Sequence, residues 1–365
     1  MKDFLIQLLS YETTAERPDQ LRNAVDLVEK EVCELGLKVC RFEKNKKPSI
    51  VLTSDGSKSP DIFLSGHLDV VPGSPMQFKP LERDGKVYAR GASDMKGPVS
   101  AMLFAFKELV KMSDTKNASV GLMLTTDEEV GGFNGTKYLL NDIRFKSKVA
   151  FVPDTTSLVP YEVCTDEKAV WHIKISVSGT EAHGSRPWLG VNAIEKSMDI
   201  SRQIKTSFDN KWGTPSQDFN WIPSVNIGKV IGGTATNKVP EKCELYLDIR
   251  FPEGISFESV SNIVSEIASR NNALIETLVF GSSNHIDKSN YYLSRWVDAV
   301  EKNTSHDVKY FRTHGASDGR YFHELGIPCV MSKPHCSLTH MKDEWVDYDS
   351  LVEFKDIIKE WVLSV

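Results

Sequence analysis

No apolar stretch in this sequence approaches the roughly 18 residues that a bilayer-spanning helix needs, so passage through a membrane is not expected. A long basic run is also missing, and the formal net charge is -6. A nucleic-acid partner is therefore not expected, because such surfaces are built from clustered lysine and arginine. The start of the chain has too short an apolar run, and too early an acid in Asp3, for a signal peptide. Cysteine is sparse: six in 365 residues, at 33, 40, 164, 243, 329 and 336, with no C-x-x-C pair. That spacing excludes a thiolate zinc site. The six read as reduced thiols of a cytoplasmic protein rather than as a disulfide frame. Internal repeats and low-complexity segments are absent too.

What is present is ordinary globular composition, 40% hydrophobic and 26% charged. The chain is too long for one hydrophobic core, so two domains are expected. Residues 1–36 read as helical, with Pro18 opening a second amphipathic run through Leu21, Val25, Val28, Val32 and Leu35, and Gly36 closing it. Strand-like runs follow at 37–42, 49–53 and 61–64, then a helix from Gly97-Pro98, then apolar strands at 120–124 and 149–152. Strands alternating with helices indicate α/β. From Ala169 the pattern changes: Trp171, Ile173, Ile175 and Val177 alternate with polar neighbours. The order becomes strand, helix (192–207), strand (224–230), strand (243–251), helix (257–270), strand (273–279), which is the ferredoxin-like βαββαβ signature. The α/β pattern resumes near Tyr291 and ends in a helix at 350–364. The expected architecture is an α/β catalytic domain, 1–168 with 280–365, carrying an inserted α+β lid at 169–279.

Five places carry chemistry. "SGHLDVVP" sets His67 and Asp69 two apart at a strand end, on one face of extended backbone. His67 can bind metal while its second nitrogen donates to Asp69. "YARGASDMKGP" puts Asp94 just before a helix start, where an acid is also favoured as a cap. "TTDEEVGG" ends a strand with Asp127, Glu128 and Glu129. On extended backbone the two glutamates would point different ways, one to metal and one to substrate. An exposed acidic turn marked by Gly131-Gly132 is the plainer alternative. "AFVPDTTS" places Asp154 after another strand, and "CSLTHMKDE" supplies His340 late in the chain. Singly, Asp154 reads as a loop acid and His340 as an exposed or structural histidine. Together, these residues lie where α/β sheets build sites. Two imidazoles and three carboxylates suit a pair of divalent ions, Zn²⁺, Co²⁺ or Mn²⁺. Such ions would also neutralise the cluster at 127–129.

These motifs, with "GTEAHGSRPWLGVNAIEK" and the late "SLTH", occur in the same order as in the acetylornithine deacetylase / succinyl-diaminopimelate desuccinylase family, which the chain resembles over nearly its whole length. Aminoacylases, glutamate carboxypeptidases and dipeptidases belong to that family. The resemblance implies a discontinuous zinc-peptidase-like domain with a lid that dimerises. It implies two ions per chain, most naturally zinc, bridged by Asp94. His67 and Asp154 would complete one position, Glu129 and His340 the other. Asp69 would orient His67, Glu128 would be the general base for hydrolysis of an amide, and Asp127 has no assigned chemistry. His183 would donate to the oxyanion in the partner subunit's site; read on its own it is a solvent-facing loop residue.

Substrates of the family carry a carboxylate beside the scissile amide. Asn237 in "GGTATNKVP" and Arg250 in "LDIRFP" are candidates to bind it, although Arg250 can equally pair with an acid on its own strand. "HGASDGRYF" resembles the substrate-side loop of desuccinylases, with Gly315, Ser317 and Arg320 as contacts, but His314 and Ala316 depart from the usual Gly and Thr. The paired arginines that desuccinylases carry before the lid are absent. The chain reads Thr165-Asp-Glu-Lys168-Ala, with Lys168 as a partial substitute, and this counts against succinyl-diaminopimelate as substrate. His172, His285, His306, His323 and His335 read as structural or exposed, and Trp188 and Trp221 as lid packing. The leading expectation is a di-metal amidohydrolase acting on an N-acyl-amino acid. A dipeptidase or carboxypeptidase is the alternative within the same chemistry. A non-catalytic dimeric binding protein is the alternative outside it, and retention of all five ligands and Glu128 argues against that.

Overall fold

The computed structural model describes residues 1–112, 118–157, 159–216 and 220–365. The chain divides into two compact units, Met1–Asp166 with Asn284–Val365, and Glu167–Ser283. Among the described residues no helix is long and apolar enough to cross a membrane.

The first unit is organised by a six-stranded sheet in the order Cys40–Lys44, Lys47–Thr53, Val120–Thr125, Ile62–His67, Val149–Phe151, Cys329–Val330. The first two strands run antiparallel. The last four are mutually parallel, with Ile62 opposite Val120 and His67 opposite Thr125. Every residue of Ile62–His67 and Val120–Thr125 is buried, as expected of strands covered on both faces. One face is covered by the helices Lys2–Leu9, Pro18–Val32, Lys96–Lys111, Tyr291–Asn303 and Tyr348–Ser364. There Trp296, Trp361 and Phe354 pack around Phe151, with ring centroids 4.6, 5.4 and 5.9 Å from it. The other face carries a smaller cluster including Phe63, Met123, Leu139 and Phe322.

The first strand begins at Cys40 rather than at residue 37. The helical segment runs on as a 3-10 turn, Cys33–Leu35, to Gly36, whose left-handed φ of +65° closes it. Two small sheets have no counterpart in the sequence reading. One joins Asn284–His285, Val163–Glu167 and Tyr310–Thr313. The other orders Cys336–Ser337, Trp345–Asp347, Lys86–Tyr88 and Leu81–Arg83. The latter brings residues near 90 beside residues near 344, with Trp345 opposite Tyr88.

The second unit is a four-stranded antiparallel sheet in the order Ser224–Gly232, Lys242–Phe251, Ala169–Ser178, Leu274–Gly281. In chain order this is 2-3-1-4, a ferredoxin-like arrangement. Alternation puts Trp171, Ile173, Ile175 and Val177 on one face, where they pack with Leu245, Leu247 and Ile249. Helices Ala193–Trp212 and Phe257–Arg270 contribute Ile200, Ile204, Val260 and Val264 to that core. Both helices start on side-chain caps: Asn192 accepts from Ile194 and Glu195, and Ser256 accepts from Ser259.

Candidate metal centre

His67 ends its strand and is buried at 1% exposure. Its Nε2 lies 3.1 Å from Asp94 Oδ1. The other carboxylate oxygen of Asp94 lies 3.1 Å from His340 Nε2, which is also 3.2 Å from Glu129 Oε1. Ligand atoms of His67, Asp94 and Glu129 fall within 4.8 Å of one another, and so do those of His67, Glu128 and Asp154. The side chains read from five separate motifs therefore meet around one point. It lies at the carboxyl ends of the parallel strands, where such sheets place their ligands.

Asp69 does something other than expected. The nearest partner of His67 Nδ1 is the backbone carbonyl of Asp69 at 3.0 Å; the carboxylate is at 3.5 Å. That carboxylate also accepts the backbone N–H groups of Glu128 (3.3 Å) and Glu129 (3.1 Å). The two glutamates are not on extended backbone. They form a 3-10 turn, Glu128–Val130, because Asp69 draws both N–H groups to one side. Arg320 Nη2 donates to Gly131 O at 3.0 Å and Tyr321 OH donates to the same carbonyl, which fixes the far end of the turn. Beneath it Asp127 is fully buried and accepts Asn134 N at 2.7 Å. A Cβ on Gly132 would lie 2.2 Å from Asp318 Oδ1, and one on Gly135 2.3 Å from Asp127 Oδ1. Glycine here makes room for buried carboxylates as well as turning the chain.

The electrostatics are those of a site crowded with negative charge. Burial, then Asp154, pushes the Glu128 carboxyl well above its ordinary value. Glu129 is raised by burial and Asp94, against its hydrogen bond with His340. Burial and then Asp318 lift Asp127 to about 7. Asp94 moves the other way: burial opposes it, but hydrogen bonds from His340 and His67 hold it well below the usual carboxylate range. His340 rises to about 10 through its hydrogen bonds to Asp94 and Glu129. Protonated imidazoles thus stand where cations would balance the carboxylates. The donor set of imidazole nitrogens and carboxylate oxygens fits divalent ions that would displace those protons.

The other expected site residues have different surroundings. Ser317 is buried and its hydroxyl accepts Gly319 N, so it opens the short helix Gly319–His323; Gly315 N donates to Thr313 Oγ1. Arg320 is 4% exposed and engaged by Gly131 and Tyr321 rather than open to solvent. In the second unit, Arg250 grips Asp248 with Nε at 2.7 Å and Nη2 at 3.3 Å, the strand-local pairing noted as its alternative. Burial pushes Asp248 up, but hydrogen bonds from His172 and Arg250 outweigh it and hold the carboxyl down to about 2. Lys168 is fully buried and donates to Ile222 O at 2.6 Å. His183 is exposed and accepts Ser185 N on Nδ1; exposed Asn237 lies beside it, its carbonyl accepting Gly184 N at 2.7 Å. Trp188 is not packed as expected: it stands 74% exposed on the turn Pro187–Leu189, with Leu189 and Val191 exposed near it.

Sequence reasoning missed Arg90 and Glu344, which are 3% and 1% exposed and paired. Both lie inside quoted motifs, but a pairing across 254 positions leaves no local spacing to read.

A cluster of imidazoles and carboxylates at the carboxyl ends of the parallel strands, buried except for the half-exposed His340, is the donor set of a metal-dependent hydrolase. The chain belongs to peptidase family M20/M25/M40, whose description it matches over residues 63–364. It is 24% identical over 318 residues to a succinyl-diaminopimelate desuccinylase of Pseudoalteromonas translucida, covering 84% of each chain. To that of Marinobacter nauticus it is 25% identical over 324 residues, covering 85% of each. Among solved structures it is similar to a tripeptidase from Staphylococcus aureus, with a TM-score of 0.80, 21% identity and coverage of 100% and 97%. It is also similar to an M20-family metallo-carboxypeptidase from Sulfolobus solfataricus, with a TM-score of 0.82, 17% identity and coverage of 98% and 97%.

Proposed function

We propose that the protein removes the acyl group from an N-acyl-amino acid by hydrolysing its amide, with Glu128 as general base. The observation that carries this is the turn Glu128–Val130, which puts one glutamate beside Asp154 and His67 and the next beside Asp94 and His340. His67 and Asp154 would hold one ion, Glu129 and His340 the other, and Asp94 would serve both. Such ions, zinc in our reading with cobalt or manganese able to replace it, would supply Lewis acidity and lower the pKa of water from about 15.7 towards 7. Glu128 takes the proton of the attacking water. Its burial favours the neutral form, so it holds that proton until the departing amine accepts it. Asp69 keeps base and ligand in register through their two N–H groups.

His183 is our choice for the oxyanion donor. Its Nδ1 is occupied by Ser185, whose Oγ and backbone N lie 2.8 and 3.2 Å away, and Nε2 is the ring nitrogen left to face a substrate. Exposed Trp188, Leu189 and Val191 nearby support a homodimer formed through this lid, with His183 serving the partner's site. Asn237, exposed beside His183, is the preferred ligand for the substrate carboxylate. Arg250, Gly315, Ser317 and Arg320 rank behind it because each is held by neighbours or shielded from solvent. Six free cysteines support a cytoplasmic location.

The curated relatives are named desuccinylases, yet Lys168 stands where paired arginines are expected and itself donates to Ile222 O, which counts against a succinyl carboxylate. A small acyl group is the better fit. The peptidase names of the structural neighbours favour a dipeptidase as the second reading. The test uses metal-stripped protein restored with Zn²⁺, Co²⁺ or Mn²⁺, following amine release from N-acetyl and N-succinyl amino acids and dipeptides. Metal-dependent turnover of N-acetyl substrates is expected. Preference for dipeptides would move the protein to the second reading, and absence of bound metal would overturn the site.

A further inference from the structure

We propose that the buried Arg90–Glu344 pair is a positioning device that fixes Asp94 and His340 relative to one another, and so sets the affinity of the metal position His340 completes. This rests on the di-metal reading above. The small sheet that seats Trp345 opposite Tyr88 continues into an Ala89 N to Glu344 O hydrogen bond of 3.1 Å, which brings Arg90 and Glu344 side by side. Glu344 Oε1 accepts the N–H groups of Ser93 (2.9 Å) and Asp94 (3.0 Å), and its Oε2 accepts Arg90 Nη1 at 2.5 Å. Arg90 Nη2 donates to the carbonyl of His340 at 3.1 Å. One end of the pair grips the backbone of one candidate ligand, and the other end grips the backbone of the next. Ser93 Oγ and Thr339 Oγ1, 3.0 Å apart, tie the same two stretches again, and Gln77 Nε2 holds Met341 O at 3.1 Å.

Two considerations point beyond bulk stability. Burying two charges costs desolvation, and a hydrophobic pair of similar volume would usually stabilise as well. What a hydrophobic pair lacks is the forked guanidinium that reaches a carboxylate and a carbonyl together. His340 also sits at φ +63°, left-handed backbone that a non-glycine residue keeps only where its surroundings over-determine it. The Arg90 hydrogen bond is the restraint that acts on the His340 carbonyl itself, beside those on Thr339 and Met341. Once it is released, the backbone can relax and the imidazole leaves Asp94 and Glu129.

The experiment strips the protein and titrates Zn²⁺ into wild type, Arg90→Lys and Glu344→Gln, resolving the two equivalents by calorimetry and by Co²⁺ absorption. Lysine keeps Glu344 balanced but cannot reach both acceptors. Glutamine keeps an oxygen for the Ser93 and Asp94 N–H groups but releases Arg90. Arg90→Lys, which leaves no unbalanced buried charge, carries the test if Glu344→Gln fails to fold. We expect one equivalent to weaken about 10- to 100-fold, the usual cost of losing a partner behind a ligand, while the other stays within about twofold. In a His340→Ala background, Arg90→Lys should add no further loss, because both act on the same position. Equal weakening of both equivalents, unchanged binding, or additive losses would each overturn the proposal in favour of a merely structural pair. Wild type binding fewer than two ions would instead overturn the di-metal reading on which it rests.

Discussion

Asparagine at position 69 keeps the volume of aspartate but removes its charge and half of its accepting capacity. The Asp69 side chain is 1% exposed and its two oxygens serve two donors, the N–H groups of Glu128 and Glu129. The asparagine oxygen can serve one of them, and its NH₂ must then face the other donor. One hydrogen bond to a charged acceptor, worth roughly 1.5–3 kcal/mol, is lost, and the remaining one falls to a neutral bond of about 1 kcal/mol. The turn is thus released by about 2–5 kcal/mol. At about 1.4 kcal/mol per tenfold this predicts a fall of about 30- to 4000-fold in kcat/KM. The assay is kcat/KM on metal-loaded Asp69→Asn, with metal content determined on the same sample. His67 should keep its orientation, since its nearer partner is the carbonyl of residue 69. Loading at the His67 position should therefore persist while the Glu129 position weakens. Wild-type kcat/KM at full loading, or a loss confined to the His67 position, would refute the reasoning.

Glu128→Gln should lower kcat about 10²- to 10⁴-fold with metal content unchanged; undiminished turnover would remove Glu128 from the mechanism. Burial, then Arg250, pushes Lys168 down from 10.5 to about 8. Across that window the unfolded chain holds a proton the folded one has released, so stability should rise with pH between about 8 and 10.5. Lys168→Met should abolish that rise in urea unfolding compared with wild type, and an identical slope would show that the amine is not desolvated. A Cβ on Gly179 would lie 2.0 Å from the carbonyl of Val191, a backbone atom with little room to give. Gly179→Ala should destabilise the second unit by about 1–3 kcal/mol, read from hydrogen exchange of its strand amides; unchanged exchange would contradict this.

How much was legible follows from the range of the forces involved. The helix Phe257–Arg270 could be read to its ends because Ser256 caps it and its apolar spacing is regular. The strand Ala169–Ser178 could be read because its alternation spans ten residues. Strands of two or three residues, such as Cys336–Ser337 and Lys86–Tyr88, are too short to show a period and exist only through their partners. Most of the candidate metal ligands were legible because they end, follow or precede elements the pattern reveals, as His67 ends its strand and Asp94 precedes its helix; His340 lies in a loop and was legible only through its motif. Between extended backbone and the turn marked by Gly131-Gly132 the sequence does not decide at Glu128, because the shape is imposed by Asp69, 59 positions away. Arg320 reads as a substrate contact by motif, and nothing in the sequence signals that its Nη2 also donates to Gly131 O, because that partner lies 189 positions away. Trp188 shows the limit of composition: a large aromatic side chain signals burial somewhere, without saying whether in its own chain.

The interruption of the first unit by the second has a consequence for biosynthesis. Cys329–Val330 closes the edge of the sheet beside Val149–Phe151, and Trp296, Phe354 and Trp361 cover Phe151. All of these, with His340 and Glu344, leave the ribosome last. At about 5–20 residues per second, the inserted unit emerges whole and can fold while the earlier segment waits for some seconds with an open sheet edge and an uncovered aromatic face. Nascent chains of this protein should therefore engage chaperones through the 149–151 strand. A chain released before residue 340 would carry a folded insert on a half-built, metal-poor frame.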